Sequence, residues 1–262
     1  MILLILTIRI NFPWKSCNLH LEVYNQGKER EGWSMKKFII EDGVFDIFPH
    51  LEIGIVTLHG ADNSGQGRGD LLQAVCEEIA QAGEVSPAVI EYKEAMKQIK
   101  KKKGAAASID AMSKRILKGG TIGSINKVVD IYNFVSLKHL FTCGGENLDK
   151  IQGDMVLGFA RGDEPFVPLG EEESAPPREG ELIYYDEAGA IVRSWLWREA
   201  DRTKITEEAN NILLYMECIN PQRHEAFSQA VQGLSHIVMD NVGGEASIAF
   251  LSREQPEAVI EK

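Results

Sequence analysis

The chain has 262 residues, 44% of them hydrophobic and 26% charged, the proportions expected of a soluble globular chain with one large domain or two small ones. No apolar run reaches the length of a bilayer span, so no membrane association is expected. The net charge of −11 excludes a surface that binds polyanions everywhere. Cys17, Cys76, Cys143 and Cys218 form no C-x-x-C pair, which argues against a structural zinc or a disulfide framework and suits a reducing cytoplasm. His50, His59, His224 and His236 show no metal-ligand spacing, so no metal is expected.

Residues 1–34 differ in character from the rest. Met1–Ile8 is apolar, but no basic segment precedes it and no small-residue cleavage site follows. The expectation is a non-native or disordered leader, with translation beginning at Met35, and a single domain over 35–262. Ile53–Leu58 reads as a buried strand and leads into the glycine-rich loop Gly60–Asp70. A helical stripe follows, Leu71, Leu72, Val75, Cys76 and Ile79, ending near Gly83. Strand, loop and helix in that order could cradle a phosphate. The glycines are spaced G-x-G-x-G, however, Gln66 stands where a phosphate loop needs lysine, and Asp62 and Asp70 repel an anion. A flexible loop is expected, and no cofactor.

Ser86-Pro87 opens a helix read as far as Lys100–Lys103, and Ser108 is read as the cap of another, Ile109–Lys118. Ten Lys or Arg stand against two acidic residues between Lys93 and Lys127. Lys100, Lys101, Lys102, Lys103, Lys114 and Arg115 are therefore candidate RNA contacts in an otherwise acidic chain. The alternative is a solvated helix end whose lysines answer the C-terminal dipole.

The stretch Ser124–Asp154 is central. Ser124 reads as an N-cap, and Ile125, Val128, Val129, Tyr132 and Val135 recur at helical spacing. Asn126, Asp130 and Asn133 would share a polar stripe. The segment is rich in β-branched and aromatic residues, so a strand over Val129–Leu137 stays open. Gly144-Gly145 then implies a tight bend, either a plain turn or one that aims N–H groups at a ligand. Strands are expected at Met155–Ala160, Phe166–Leu169, Glu181–Asp186, Ala190–Trp197, Ile212–Cys218 and Ala246–Leu251. A long helix should follow Asn220-Pro221, and a frayed tail should follow Leu251.

Ile125-Asn126-Lys127-Val128-Val129-Asp130-Ile131-Tyr132-Asn133-Phe134-Val135 resembles the I-N-N-V-V-D-x-T-N-Y-V segment of the B3/B4 tRNA-editing domain of the phenylalanyl-tRNA synthetase β subunit. The similarity continues through Asn147–Asp154, Gly180–Asp186 and Thr206–Leu214, within about residues 86–220. Free-standing relatives of that domain are the better parallel. The resemblance implies an α+β fold in which mixed β-sheets form a sandwich flanked by helices, three layers in all. It also implies hydrolysis of mischarged aminoacyl-tRNA in trans, useful because an apolar pocket cannot strongly reject an isostere that merely adds a hydroxyl.

Carried over residue by residue, the family's asparagine is Asn133 and the threonine before it is Tyr132. The family's histidine falls on Gly144, and its hydroxyl-reading glutamate falls near Glu199. The small residues around that glutamate become Trp195, Trp197 and Arg198. The expected substrate-binding set is thus Tyr132, Asn133, Gly144, Gly145, Trp195, Trp197, Arg198 and Glu199, with Asn133 and His139 as catalytic candidates. Cys143 is a lesser one. Trp195 and Trp197 also fit a core-facing alternation along a strand. The expected partners are tRNA and a small amino-acid-like ligand, not DNA. The alternative to an editing enzyme is a non-catalytic module that binds tRNA or such a ligand.

Overall fold

Ile53 and Ile55 face one way along their strand while Val56 and Leu58 face the other, and that alternation organises two cores. A computed structural model describes residues 35–261, which fold as one compact unit. The expected leader, residues 1–34, lies outside the described residues.

The strand is β2 (Glu52–His59). It lies in an antiparallel four-stranded sheet between β8 (Ile212–Cys218) and β9 (Glu245–Leu251), with β3 (Thr142–Asn147) beyond β8. A second, six-stranded sheet runs β10 (Glu257–Glu261), β1 (Lys36–Ile40), β4 (Met155–Phe159), β5 (Leu182–Asp186), β6 (Gly189–Arg193) and β7 (Arg198–Glu199). Only its β1–β4 pairing is parallel, so this sheet is mixed.

Phe38, Leu157 and Tyr184 of the mixed sheet meet Ile53, Ile55, Leu213 and Tyr215 of the antiparallel sheet in one core. On the outer face of the antiparallel sheet, Val56, Leu58, Leu214 and Met216 pack on α5 (Lys127–His139) and α6 (His224–Val242) through Val128, Ile131, Phe227 and Val231. The result is the expected α+β sandwich in three layers, sheet, sheet and helices. The remaining helices are α1 (Asp42–Ile47), α2 (Gly69–Ala82), α3 (Pro87–Ala95) and α4 (Ser108–Leu117). Among the described residues, no helix is long and apolar enough to cross a membrane.

Several local expectations give way. The helix after Ser86 stops at Ala95, well short of the lysine cluster. Asn126, not Ser124, caps α5: its Oδ1 accepts from the Val129 amide at 3.1 Å. The Ser124 hydroxyl instead donates to Asp130, and Ile125 lies exposed ahead of the helix. Phe166–Leu169 forms no strand, only a single bridge from Pro168 to Ala200. The tail after Leu251 is not frayed, because β10 pairs antiparallel with β1 and Lys36 meets Glu261 at 2.7 Å.

The glycine-rich loop is not left loose either. Asp130, fully buried, accepts from the Arg68 amide at 2.7 Å and from the Ile125 amide at 2.8 Å. A Cβ on Gly67 would strike Ser124 and Asp130. The start of α2, where a phosphate would sit, is therefore occupied by a carboxylate from the start of α5.

Candidate active site

Between the two sheets lies a cavity of about 290 Å³, walled by α5, β3, β7, β8 and the turn joining β6 to β7. That volume is close to the lower end for small-molecule sites, about 300 Å³, and suits an amino acid.

The turn is the least ordinary wall. Ser194 and Trp195 both adopt left-handed backbone, φ 52° and 58°, which non-glycine residues avoid. Glu181, wholly buried, secures it by accepting from Arg193 Nε at 2.9 Å, Arg193 Nη2 at 3.1 Å and Ser194 Oγ at 2.5 Å. The Trp195 indole stacks on Phe48 at 4.6 Å. The tryptophans therefore stand on a turn, not on the strand expected over Ala190–Trp197, because β6 ends at Arg193. Trp195 is core, with no exposed surface, while Trp197 is half-buried at the rim.

Gly144 and Gly145 form no bend. Both lie inside β3, paired with Tyr215 and Leu214. A Cβ on Gly144 would stand 2.7 Å from the Tyr215 phenol, so the missing side chain is what lets that ring cross the cavity floor. Gly145 faces the other core, towards Ile205 and Leu214.

Three carboxyls gather here. Glu217 is buried and accepts from the Thr142 hydroxyl at 2.7 Å, the Trp195 indole N–H at 3.0 Å and the Tyr184 hydroxyl. Burial pushes its pKa up to about 7 in spite of those donors. Glu199 is raised to about 7 by burial as well. Glu146, with no exposed surface, is driven well above the usual range by burial first and the Glu199 charge second. Its Oε1 accepts from the Tyr215 hydroxyl at 3.1 Å, and its Oε2 completes no hydrogen bond. The Thr203 hydroxyl stands close enough to favour the charged form of Glu146, yet it completes no bond either.

Of the expected set, Tyr132, Asn133, Gly144, Trp195, Trp197, Arg198 and Glu199 line this one cavity, and Gly145 turns away from it. Arg198 reaches out to Glu171 at 2.9 Å and the Leu169 carbonyl at 3.1 Å. His139 sits exposed at the end of α5, where its carbonyl accepts from Arg223, and it does not line the cavity. Burial holds the Cys143 thiol far above its ordinary pKa, which leaves it a poor nucleophile.

Thr142, Glu146, Tyr215 and Glu217 were not singled out from the sequence. The available signal was polarity inside otherwise apolar strand patterns, above all Glu217 within Ile212–Cys218.

The basic segment borders the cavity. Lys102 Nζ lies 5.0 Å from the centre of the Trp197 ring, and its amide donates to Ser194 Oγ at 3.0 Å. Lys100 and Lys101 donate to the carbonyls of Glu179 and Ala105, and Lys114 pairs with buried Asp110 at 2.6 Å. Lys102, Lys103 and Arg115 have no carboxylate partner among the described residues.

A layered α+β sandwich holding an acidic, aromatic-walled, amino-acid-sized cavity defines the class. The family model described as the B3/4 domain matches residues 91–237, more than half of the chain, and the chain belongs to that family. Among solved structures it is similar to an N-terminal fragment of the phenylalanyl-tRNA synthetase β-subunit from Pyrococcus horikoshii. That similarity has 12% identity and a TM-score of 0.44, and covers 82% of this chain and 52% of that one. The chain thus spans about half the length of that fragment. No curated protein matches.

Proposed function

We propose that this protein hydrolyses the ester of a mischarged aminoacyl-tRNA in trans, in the cytoplasm. The observation that carries the reading is the convergence of Asn133, Gly144, Trp197 and Glu199 on one cavity of amino-acid size. An aminoacyl ester is already activated, so a positioned water and a few aimed donors suffice. Glu199, with a pKa near 7, takes a proton from water, and the water oxygen adds to the ester carbonyl carbon. The Asn133 amide donates to the developing oxyanion. The bond to the ribose oxygen then breaks, and that oxygen recovers the proton from Glu199, leaving a free amino acid and uncharged tRNA. Lys102, beside Trp197, with Lys103 and Arg115 of the same basic segment, would hold the RNA backbone.

The test is deacylation of a panel of mischarged tRNAs. Asn133→Ala and Glu199→Gln should each slow turnover by about 100-fold while both variants stay folded. Undiminished turnover in both variants would sink the assignment. A second reading, a binding module without turnover, is favoured by one observation, that no histidine lines the cavity. Tight tRNA or amino-acid binding with no hydrolysis in the wild type would establish it.

A further inference from the structure

Trp195, Leu196, Trp197, Arg198 and Glu199 all line the cavity, and the turn that leads into them is bonded to the basic segment. The Ser194 hydroxyl is the joint: it donates to Glu181 Oε1 at 2.5 Å and accepts from the Lys102 amide at 3.0 Å. Lys100 forms a parallel backbone bridge with Glu181, and the Ser108 amide donates to the Leu196 carbonyl at 2.9 Å. Lys102 is thus tied to the turn twice, by its amide to Ser194 and by its ammonium to the Trp197 ring, 5.0 Å away. Lys102 is exposed, whereas Ser194, Trp195 and Glu181 have no exposed surface. Left-handed backbone at two successive non-glycine residues persists only while neighbours hold it. One of those neighbours is the run Lys100–Lys103, whose like charges push the segment apart. An RNA backbone laid along it removes that repulsion and so steadies the amide that Ser194 accepts.

We infer that Ser194, backed by Glu181, is a positioning residue that passes RNA docking on Lys102 and Lys103 to the cavity wall bearing Trp197 and Glu199. Neither Ser194 nor Glu181 lines the cavity, so both act through the wall they hold. This deepens the reading above and rests on its RNA docking, not on its hydrolytic step. The wall is firmest with RNA in place, and a free amino acid, which brings no backbone, meets a looser one.

The experiment is solvent exchange of the Trp195 indole N–H, followed by NMR on the full chain with and without uncharged tRNA. That N–H donates to Glu217 at 3.0 Å from a side chain that RNA cannot reach, so its exchange reports opening of the turn. Bound tRNA should slow it on the order of 10-fold beyond the slowing of the α6 core amides, a size usual for coupling between two sites. The α6 amides mark the protection that binding gives the whole fold. Ser194→Gly removes the hydroxyl yet suits left-handed backbone, so the turn still forms. In that variant tRNA should still bind and the extra slowing should vanish. The wild-type measurement needs no variant to fold. No extra slowing in the wild type, the same slowing in Ser194→Gly, or no binding of tRNA at all would overturn the inference. The first two leave ester hydrolysis to be decided by deacylation alone. Extra slowing that Ser194→Gly abolishes, without any deacylation, upholds the inference and removes the hydrolytic reading.

Discussion

Glu217 and Glu199 both sit where an ionised carboxylate is disfavoured, and both have pKa values raised from 4.5 to about 7 by burial. Such a group holds its proton more tightly folded than unfolded. Its contribution to stability is complete below about pH 4.5 and is lost as pH rises through about 7. The carboxylates held below their ordinary range at the surface, exposed Asp62 and Asp70 and half-buried Asp201, act at more acidic pH, outside this window. Urea unfolding should therefore show the protein less stable at pH 8 than at pH 5, by roughly 3 kcal/mol. Glu199→Gln should flatten that dependence, and a stability that climbs from pH 5 to pH 8 would contradict the burial argument. At this scale Asn133 stands in a segment that carries the family pattern, whereas Glu199 was placed only by its position, because Trp195, Trp197 and Arg198 replace the small residues around the family's glutamate. Glu146 and Glu217 were not legible, because nothing in a strand pattern says whether a buried acid has three donors or one.

The elements most legible in the sequence are those with an unbroken period and a short-range stop. The strand Ile212–Cys218 is found at those bounds, and α2 follows its apolar stripe to Gly83. Other elements depend on partners far along the chain. The turn Ser194–Trp197 ends β6 because Glu181 and Phe48 hold it in left-handed backbone, and local alternation cannot announce that. Asp130 looked like one member of a polar stripe. It is instead the junction between α5 and α2, with acceptor bonds from Arg68, Ser124 and Ile125. Removing it leaves the part-buried amides of Arg68 and Ile125 and the Ser124 hydroxyl without their acceptor, so Asp130→Ala should destabilise the fold by about 3 kcal/mol, read as a lower melting temperature. A melting temperature unchanged by that substitution would mean the loop does not depend on this carboxylate.

Across the whole molecule, charge is unevenly placed, with a segment of net +8 in a chain of net −11. If RNA docks there, affinity should fall steeply as salt rises. Lys102→Ala and Lys103→Ala should each reduce the slope of log affinity against log salt by about 1, measured by filter binding. A slope near zero for the wild type would remove the basic segment from any docking role. The sandwich was foreseeable from the resemblance and from the strand count. The pairing order was not, because it is set by contacts between segments that lie far apart in the chain.

That order has a consequence for synthesis. β9 and β10 complete one sheet each, against β2 and β1, which leave the ribosome roughly two hundred residues earlier. Until residues 245–261 emerge, both early strands carry bare edges in a nascent polypeptide whose remaining layers are already available to collapse. Cells making this protein must shield those edges, so chaperone supply and the pace of translation through the late codons should govern how much of it is recovered intact.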